Sequence, residues 1–133
     1  APLVVPEAAA STLHRLGGKG VRVTIERAAC LRNADWGGTS DPYCKLEAKG
    51  SSGEPLHFQT KVINNSLDPV WYESYDIHAQ EPGELLFSLY DKDLGLKRDD
   101  FLGRVALAPA SYWPSGFSGQ LPLEQAGKRD GKE

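Results

Sequence analysis

No stretch of this chain approaches the run of about 20 apolar residues that a membrane-spanning helix requires, so no span is expected. Ala1–Pro6 is too short for a secretory signal and lacks its basic start. The chain does not begin with methionine, which fits a processed or excised segment. Cysteine is scarce: Cys30 and Cys44 are too few for a disulfide framework, and neither sits in a C-x-x-C pair. Two free thiols point to a reducing compartment, hence the cytoplasm, where the glycosylation triplet Asn64-Asn65-Ser66 carries no meaning. An excess of positive charge is missing too. The net charge of −3 excludes a diffuse nucleic-acid footprint. The three histidines, His14, His57 and His78, are tied by no motif to a Ser or Cys nucleophile. Zinc-ligand spacing and a Gly-rich phosphate loop are absent as well, so no catalytic site is expected and the chain reads as a non-enzyme.

What is present is ordinary globular material. The 133 residues suit one domain, with 40% apolar and 25% charged residues, long enough to bury a core without staples. Residues 1–20 stand apart as a leader or extra edge strand: Leu3-Val4-Val5 is a short apolar run, and Ala-rich Pro6–Leu16 predicts a helix stopped by Gly17-Gly18. From residue 21 to 125 the texture is all-β. Val21, Val23 and Ile25 alternate with Arg22, Thr24 and Glu26, the period of a half-buried strand. Further strands are expected at Tyr43–Ala48, His57–Ile63, Trp71–His78, Glu84–Asp91, Leu102–Leu107 and Ser118–Leu123, separated by turn-forming clusters. Such spacing predicts a sandwich or barrel. Residues 126–133 form a polar tail.

Six of the aspartates gather in two segments: Asp35 and Asp41 after the first of these strands, and Asp91, Asp93, Asp99 and Asp100 between the fifth and sixth. Inter-strand loops of a sandwich cluster at its two ends, so two acidic loops can meet at one. Carboxylates held that close repel unless a cation neutralises them. Ca²⁺, which takes six to eight oxygens in flexible geometry, suits such loops better than octahedral Mg²⁺. Aspartate is also a common turn residue, and Asp91-Lys92-Asp93 alone carries little weight. An EF-hand beginning at Asp91 fails, because Leu96 stands where the loop needs Gly and Leu102 where it needs Glu.

In their order along the chain, three motifs resemble one family. Asp35-Trp36-Gly37-Gly38-Thr39-Ser40-Asp41-Pro42-Tyr43 is similar to the first calcium-binding loop of C2 domains, the lipid-binding modules of protein kinase C and the synaptotagmins. Leu67-Asp68-Pro69-Val70-Trp71-Tyr72-Glu73 resembles their second loop, with Asp68 where Asn is usual. Asp91-Lys92-Asp93 through Asp99-Asp100-Phe101-Leu102-Gly103 resembles the third. The likeness covers about Val21 to Leu123. It implies an eight-stranded antiparallel Greek-key β-sandwich holding two or three Ca²⁺ ions. Asp35, Asp41, Asp91 and Asp93 match four of the family's five acidic ligand positions. For the fifth, counting forward from Asp93 gives Asp99 and counting back from Gly103 gives Asp100. Asp100 is favoured, because the Phe101-Leu102-Gly103 anchor should hold register. The main-chain carbonyls of Trp36 and Lys92 are implied as further ligands. Only ten residues follow Leu123, so the eighth strand is expected from before Val21, as in the synaptotagmins; a seven-stranded domain and a strand lent by a neighbouring molecule are the alternatives.

The function so implied is Ca²⁺-dependent docking on anionic phospholipid by a monomeric, cytoplasmic, peripheral membrane module. Trp36 at a polar loop tip, and Leu94 and Leu96 in a charged loop, would enter the bilayer interface. Lys97 and Arg98 would meet lipid phosphate or solvent. Trp71, beside Pro69, is placed in the scaffold. Lys45, Lys49, His57 and Lys61 are candidates for a sparse basic face toward phosphoinositides. The alternative is a protein-interaction module of the same fold that binds Ca²⁺ weakly or only structurally.

Overall fold

Val21, Val23 and Ile25 are fully buried along strand β3 (Val21–Ala28), as their alternation requires. Their polar neighbours are less open than a half-buried strand implies: Thr24 is 7% exposed and Glu26 5%. On that outer side Thr24 Oγ1 and Ser74 Oγ share a 2.6 Å hydrogen bond, and Arg22 pairs with Asp76 at 2.7 Å. The computed structural model describes residues 2–5, 14–15, 20–29, 31, 40–50, 52–79, 83–93, 95, 98–113 and 115–124.

The other strands are β1 (Pro2–Val5), β2 (His14–Arg15), β4 (Pro42–Lys49), β5 (Pro55–Gln59), β6 (Val70–Ile77), β7 (Leu85–Asp91), β8 (Asp100–Leu107) and β9 (Gly119–Pro122). All pairings are antiparallel. One sheet runs β5-β4-β7-β8. In the other, β6 lies along one edge of β3, while β1 and β2 share the opposite edge, and β9 lies beyond β1. Nine strand segments thus fill eight ladder positions, four in each sheet. The β4–β5 and β7–β8 hairpins lie side by side while β6 crosses between sheets, a Greek-key path.

Three local expectations change. Pro2–Val5 pairs with β3 on one side and β9 on the other, so it is an interior strand rather than an edge element. His14 and Arg15 are extended, not helical, because β3 offers them unpaired main-chain groups beyond β1; residues 6–13 and 16–19 lie outside the described residues, as do residues 125–133 of the tail. The strand expected over His57–Ile63 ends at Gln59. There the Thr60 hydroxyl accepts the Cys44 N–H at 2.9 Å, replacing a main-chain carbonyl and ending the ladder.

Between the sheets lie Val21, Val23 and Ile25 with Cys44, Leu46, Leu85, Phe87, Leu89, Leu102 and Val105. Cys44 is a free thiol, its ionisation pushed up by burial; Cys30 lies outside the described residues. Trp71 is buried, as expected, and its indole donates to the Lys61 carbonyl at 2.8 Å, tying the crossing chain to β6.

Candidate functional site

β3 ends, β4 begins, β6 begins, β7 ends and β8 begins at the same end of the sandwich. Their connections therefore converge there. The 64–69 segment is stitched to the first acidic loop by main-chain bonds: Ala28 N–H to Pro69 O (3.1 Å), Leu31 N–H to Leu67 O (3.0 Å) and Ser66 N–H to Ser40 O (2.8 Å). Asn65, in the left-handed conformation at φ 55°, aims its N–H at Asp41 Oδ1, 2.7 Å away. Asparagine tolerates that conformation better than most residues. Asp68 is exposed, and its N–H donates to Ser66 Oγ at 3.1 Å.

The first and third loops meet through main chain and side chain together. The Asp41 N–H donates to Asp91 Oδ1 at 2.7 Å, and the Lys92 N–H to the Asp41 carbonyl at 2.9 Å. Asp91 is 1% exposed and continues the inward-facing row of Leu85, Phe87 and Leu89. Its cross-strand partner on β8 is Asp100. Directly paired residues present their side chains on one face, so Asp100 stands beside Asp91 on the inner side.

Asp99 goes the other way. Tyr43 precedes inward-facing Cys44 and so lies on the outer face of β4, and its hydroxyl donates to Asp99 Oδ2. The Asp93 N–H donates to Asp99 Oδ1 at 2.9 Å, and Lys92 Nζ is 3.8 Å from Oδ2. Burial opposes the Asp99 charge, but the bonds from Tyr43 and Asp93, with Lys92 and Lys45 nearby, outweigh it and hold the carboxyl below its usual range. Burial, followed by the bond to Asp99, pushes the Tyr43 hydroxyl upward. Asp93 Oδ1 accepts the Gly95 N–H at 2.7 Å.

Asp35, Trp36, Leu94, Leu96 and Lys97 lie outside the described residues. Among the described residues, no three acidic, histidine or cysteine side chains are drawn to metal-holding distance. The carboxylate and carbonyl oxygens found there among the described residues are donor types that suit a hard cation such as Ca²⁺. Arg98 is exposed and lines a cleft of about 230 Å³ with Tyr43, Lys45, Tyr90 and Asp99.

Of the basic candidates, Lys45, Lys49 and His57 share the outer face of the β4–β5 pair, and Lys61 lies beyond its end. Lys45 lies over the Tyr90 ring at 4.9 Å and lines an outer cleft of about 450 Å³ with His57 and Ser88. Glu47 lines the same cleft and is 3.9 Å from His57. Lys49 is at the far end of β4 opposite Pro55, and Lys61 follows β5. Sequence reasoning missed Tyr43 and Asn65. The Asn-Asn turn was a signal for a left-handed residue; nothing local to Tyr43 announced its partner 56 positions away.

A family model described as the C2 domain matches residues 19–121. The human protein named multiple C2 and transmembrane domain-containing protein 1 is 40% identical over 88 residues, 64% of this chain and 8% of its own length. A calcium-dependent lipid-binding protein of Arabidopsis thaliana is 34% identical over 103 residues, covering 76% of this chain and 19% of its own length. The chain thus spans less than a fifth of either curated relative. A solved C2 domain of RIM from Drosophila matches with a TM-score of 0.70 at 18% identity, over 84% of this chain and 91% of that one.

Proposed function

The chain belongs to the C2 domain family, and from that premise we propose that it docks on anionic phospholipid membranes when Ca²⁺ occupies its aspartate-bearing loop end. One observation carries the reading: Asp91, nearly fully buried, pairs across strands with Asp100 and accepts the main-chain N–H of Asp41. A buried carboxylate beside a second one is costly unless a cation joins them. Asp35, Asp41, Asp91, Asp93 and Asp100 would hold two or three ions, with the main-chain carbonyls of Trp36 and Lys92. Asp99 is left out of the set, since both of its oxygens accept bonds from protein donors.

Bound Ca²⁺ would supply positive charge and open coordination positions for lipid phosphate or carboxylate. The chain's own part is to set the sign of the surface and to anchor it. Without the ion, the aspartates repel anionic lipid, offset in part by Lys92, Lys97 and Arg98. Trp36, Leu94 and Leu96 would enter the interface once that repulsion is gone. The Arabidopsis relative, named for calcium-dependent lipid binding, supports this reading. The module would act without catalysis, as a peripheral membrane protein in the cytoplasm.

The outer cleft lined by Lys45, Glu47, His57 and Tyr90 favours a second reading, a protein-interaction face independent of the loops. Co-sedimentation with phosphatidylserine liposomes separates the two. Pelleting in Ca²⁺ but not in chelator is expected; pelleting in neither would sink the lipid reading and leave the interaction face.

A further inference from the structure

Asp99 sits where the third loop closes on itself. Its Oδ1 accepts the Asp93 N–H from the outgoing limb at 2.9 Å, while Oδ2 accepts the Tyr43 hydroxyl from β4. Lys92 Nζ, 3.8 Å from Oδ2, adds charge to the same point. The side chain thus spans the neck of the loop, from residue 93 to residue 99, and fastens it to a strand outside the loop.

That strand is a rigid reference. The Tyr43 ring stacks on Tyr90 of β7 at 5.8 Å between centroids, and Tyr90 meets the edge of Phe101 of β8 at 5.7 Å. Lys45 lies over Tyr90 at 4.9 Å and Arg104 over Phe101 at 4.8 Å. Tyr43 is 3% exposed and Phe101 1%. A hydroxyl on such a platform has little freedom. The position it imposes on Asp99 therefore carries through to the main chain of Asp93 on one side and Asp100 on the other.

We propose that Tyr43 and Asp99 are positioning residues, a latch that fastens the neck of the third loop and limits how far Asp93 and Asp100 can stray from the cation position before an ion arrives. The inference rests on the reading of this loop end as a Ca²⁺ site and adds residues that contact no ion. Their contribution is to restrict the loop in advance: a neck already fastened loses less freedom when the ligands close on an ion.

Tyr43→Phe is the discriminating variant. It removes one hydroxyl, keeps the stacked ring and leaves every proposed ligand side chain intact. Three measurements are made. In metal-free protein, amide exchange at Asp93 followed by NMR should quicken in Tyr43→Phe. Calorimetry should show Ca²⁺ affinity falling about three- to tenfold, the span of one ordinary hydrogen bond's net contribution, with the number of ions unchanged. Tb³⁺ luminescence lifetimes in H₂O and D₂O count the waters on a bound ion. That count should stay the same in Tyr43→Phe and Asp99→Asn and rise in Asp100→Asn, because only a lost ligand is replaced by water. A rise in Asp99→Asn would make Asp99 a ligand and overturn the latch. So would unchanged exchange at Asp93 together with unchanged affinity in Tyr43→Phe. If wild-type protein binds neither ion, the Ca²⁺ reading fails by itself, and the metal-free exchange still decides whether the latch exists.

Discussion

At the scale of single residues, the two neighbouring aspartates of the third loop have opposite surroundings. Asp100 lies beside buried Asp91, and Asp99 is engaged by Tyr43 and Asp93 on the outer face. Asp91→Asn is therefore expected to lower Ca²⁺ affinity by at least about tenfold, or roughly 1.4 kcal/mol, and Asp99→Asn by less. Calorimetry giving the reverse order would show that the third loop is read in the wrong register. Asp99 also carries a pH dependence. Its folded carboxyl is held below its unfolded value, so the stability it contributes is present above the unfolded value and is lost as pH falls through the folded one. Tyr43→Phe removes a cause of that depression. Acid unfolding followed by circular dichroism should begin at higher pH in the variant than in wild type.

At the scale of elements, the fold depends on close approaches at strand ends. Gly20 leads into β3 with φ +154°, and a Cβ there would stand 2.5 Å from the Ile77 carbonyl oxygen at the end of β6. That carbonyl belongs to ladder backbone and has little room to yield. Gly20→Ala is expected to destabilise the domain by roughly 1–3 kcal/mol, the usual cost of forced overpacking, measured as a lower urea midpoint at unchanged slope. The β3–β6 pairing tolerates one irregularity already, a register shift between Ile25 and Arg27 opposite Tyr72, whose φ is 50°. The β5 edge is managed differently. Pro55 opens it and Thr60 ends it, which leaves a short strand at the sheet margin.

At the scale of the molecule, the proposed switch links ion binding to stability and to docking. Ca²⁺ that binds the folded loops but not the unfolded chain should stabilise by about 2.7 kcal/mol at a hundredfold excess over Kd. Thermal melting in millimolar Ca²⁺ should therefore lie clearly above melting in chelator, and coincident curves would remove the metal site. Docking is tested through Trp36. Its backbone carbonyl is retained in Trp36→Ala, so Ca²⁺ binding in solution should be nearly unchanged, while affinity for anionic liposomes should fall about tenfold or more. Burying an aromatic ring removes about 150–250 Å² from water, and at about 25 cal/mol per Å² even partial insertion exceeds the ~1.4 kcal/mol that tenfold requires. Equal co-sedimentation of the two proteins at fixed Ca²⁺ would mean that the indole does not reach the bilayer.

The sequence by itself determined the fold class and the family. The period of two in Val21–Ile25, the turn clusters and the order of three loop motifs are local patterns, and each follows from a few neighbouring residues. It also placed Asp41, Asp91 and Asp93 at strand ends and loops of an antiparallel sandwich, where chain reversal brings them to one end. Three things were decided only by tertiary structure. Whether Asp99 or Asp100 stands beside Asp91 depends on the β7–β8 register, which counting from either end of the loop leaves open by one residue. The place of Pro2–Val5 between β3 and β9 depends on partners more than 20 and 110 positions away along the chain. Tyr43 reads locally as an ordinary strand residue, and its part in the loop arises from a hydroxyl that meets Asp99 across 56 positions. Side-chain alternation within a strand is written in the sequence, but which strand edge meets which is settled by packing the whole sandwich at once.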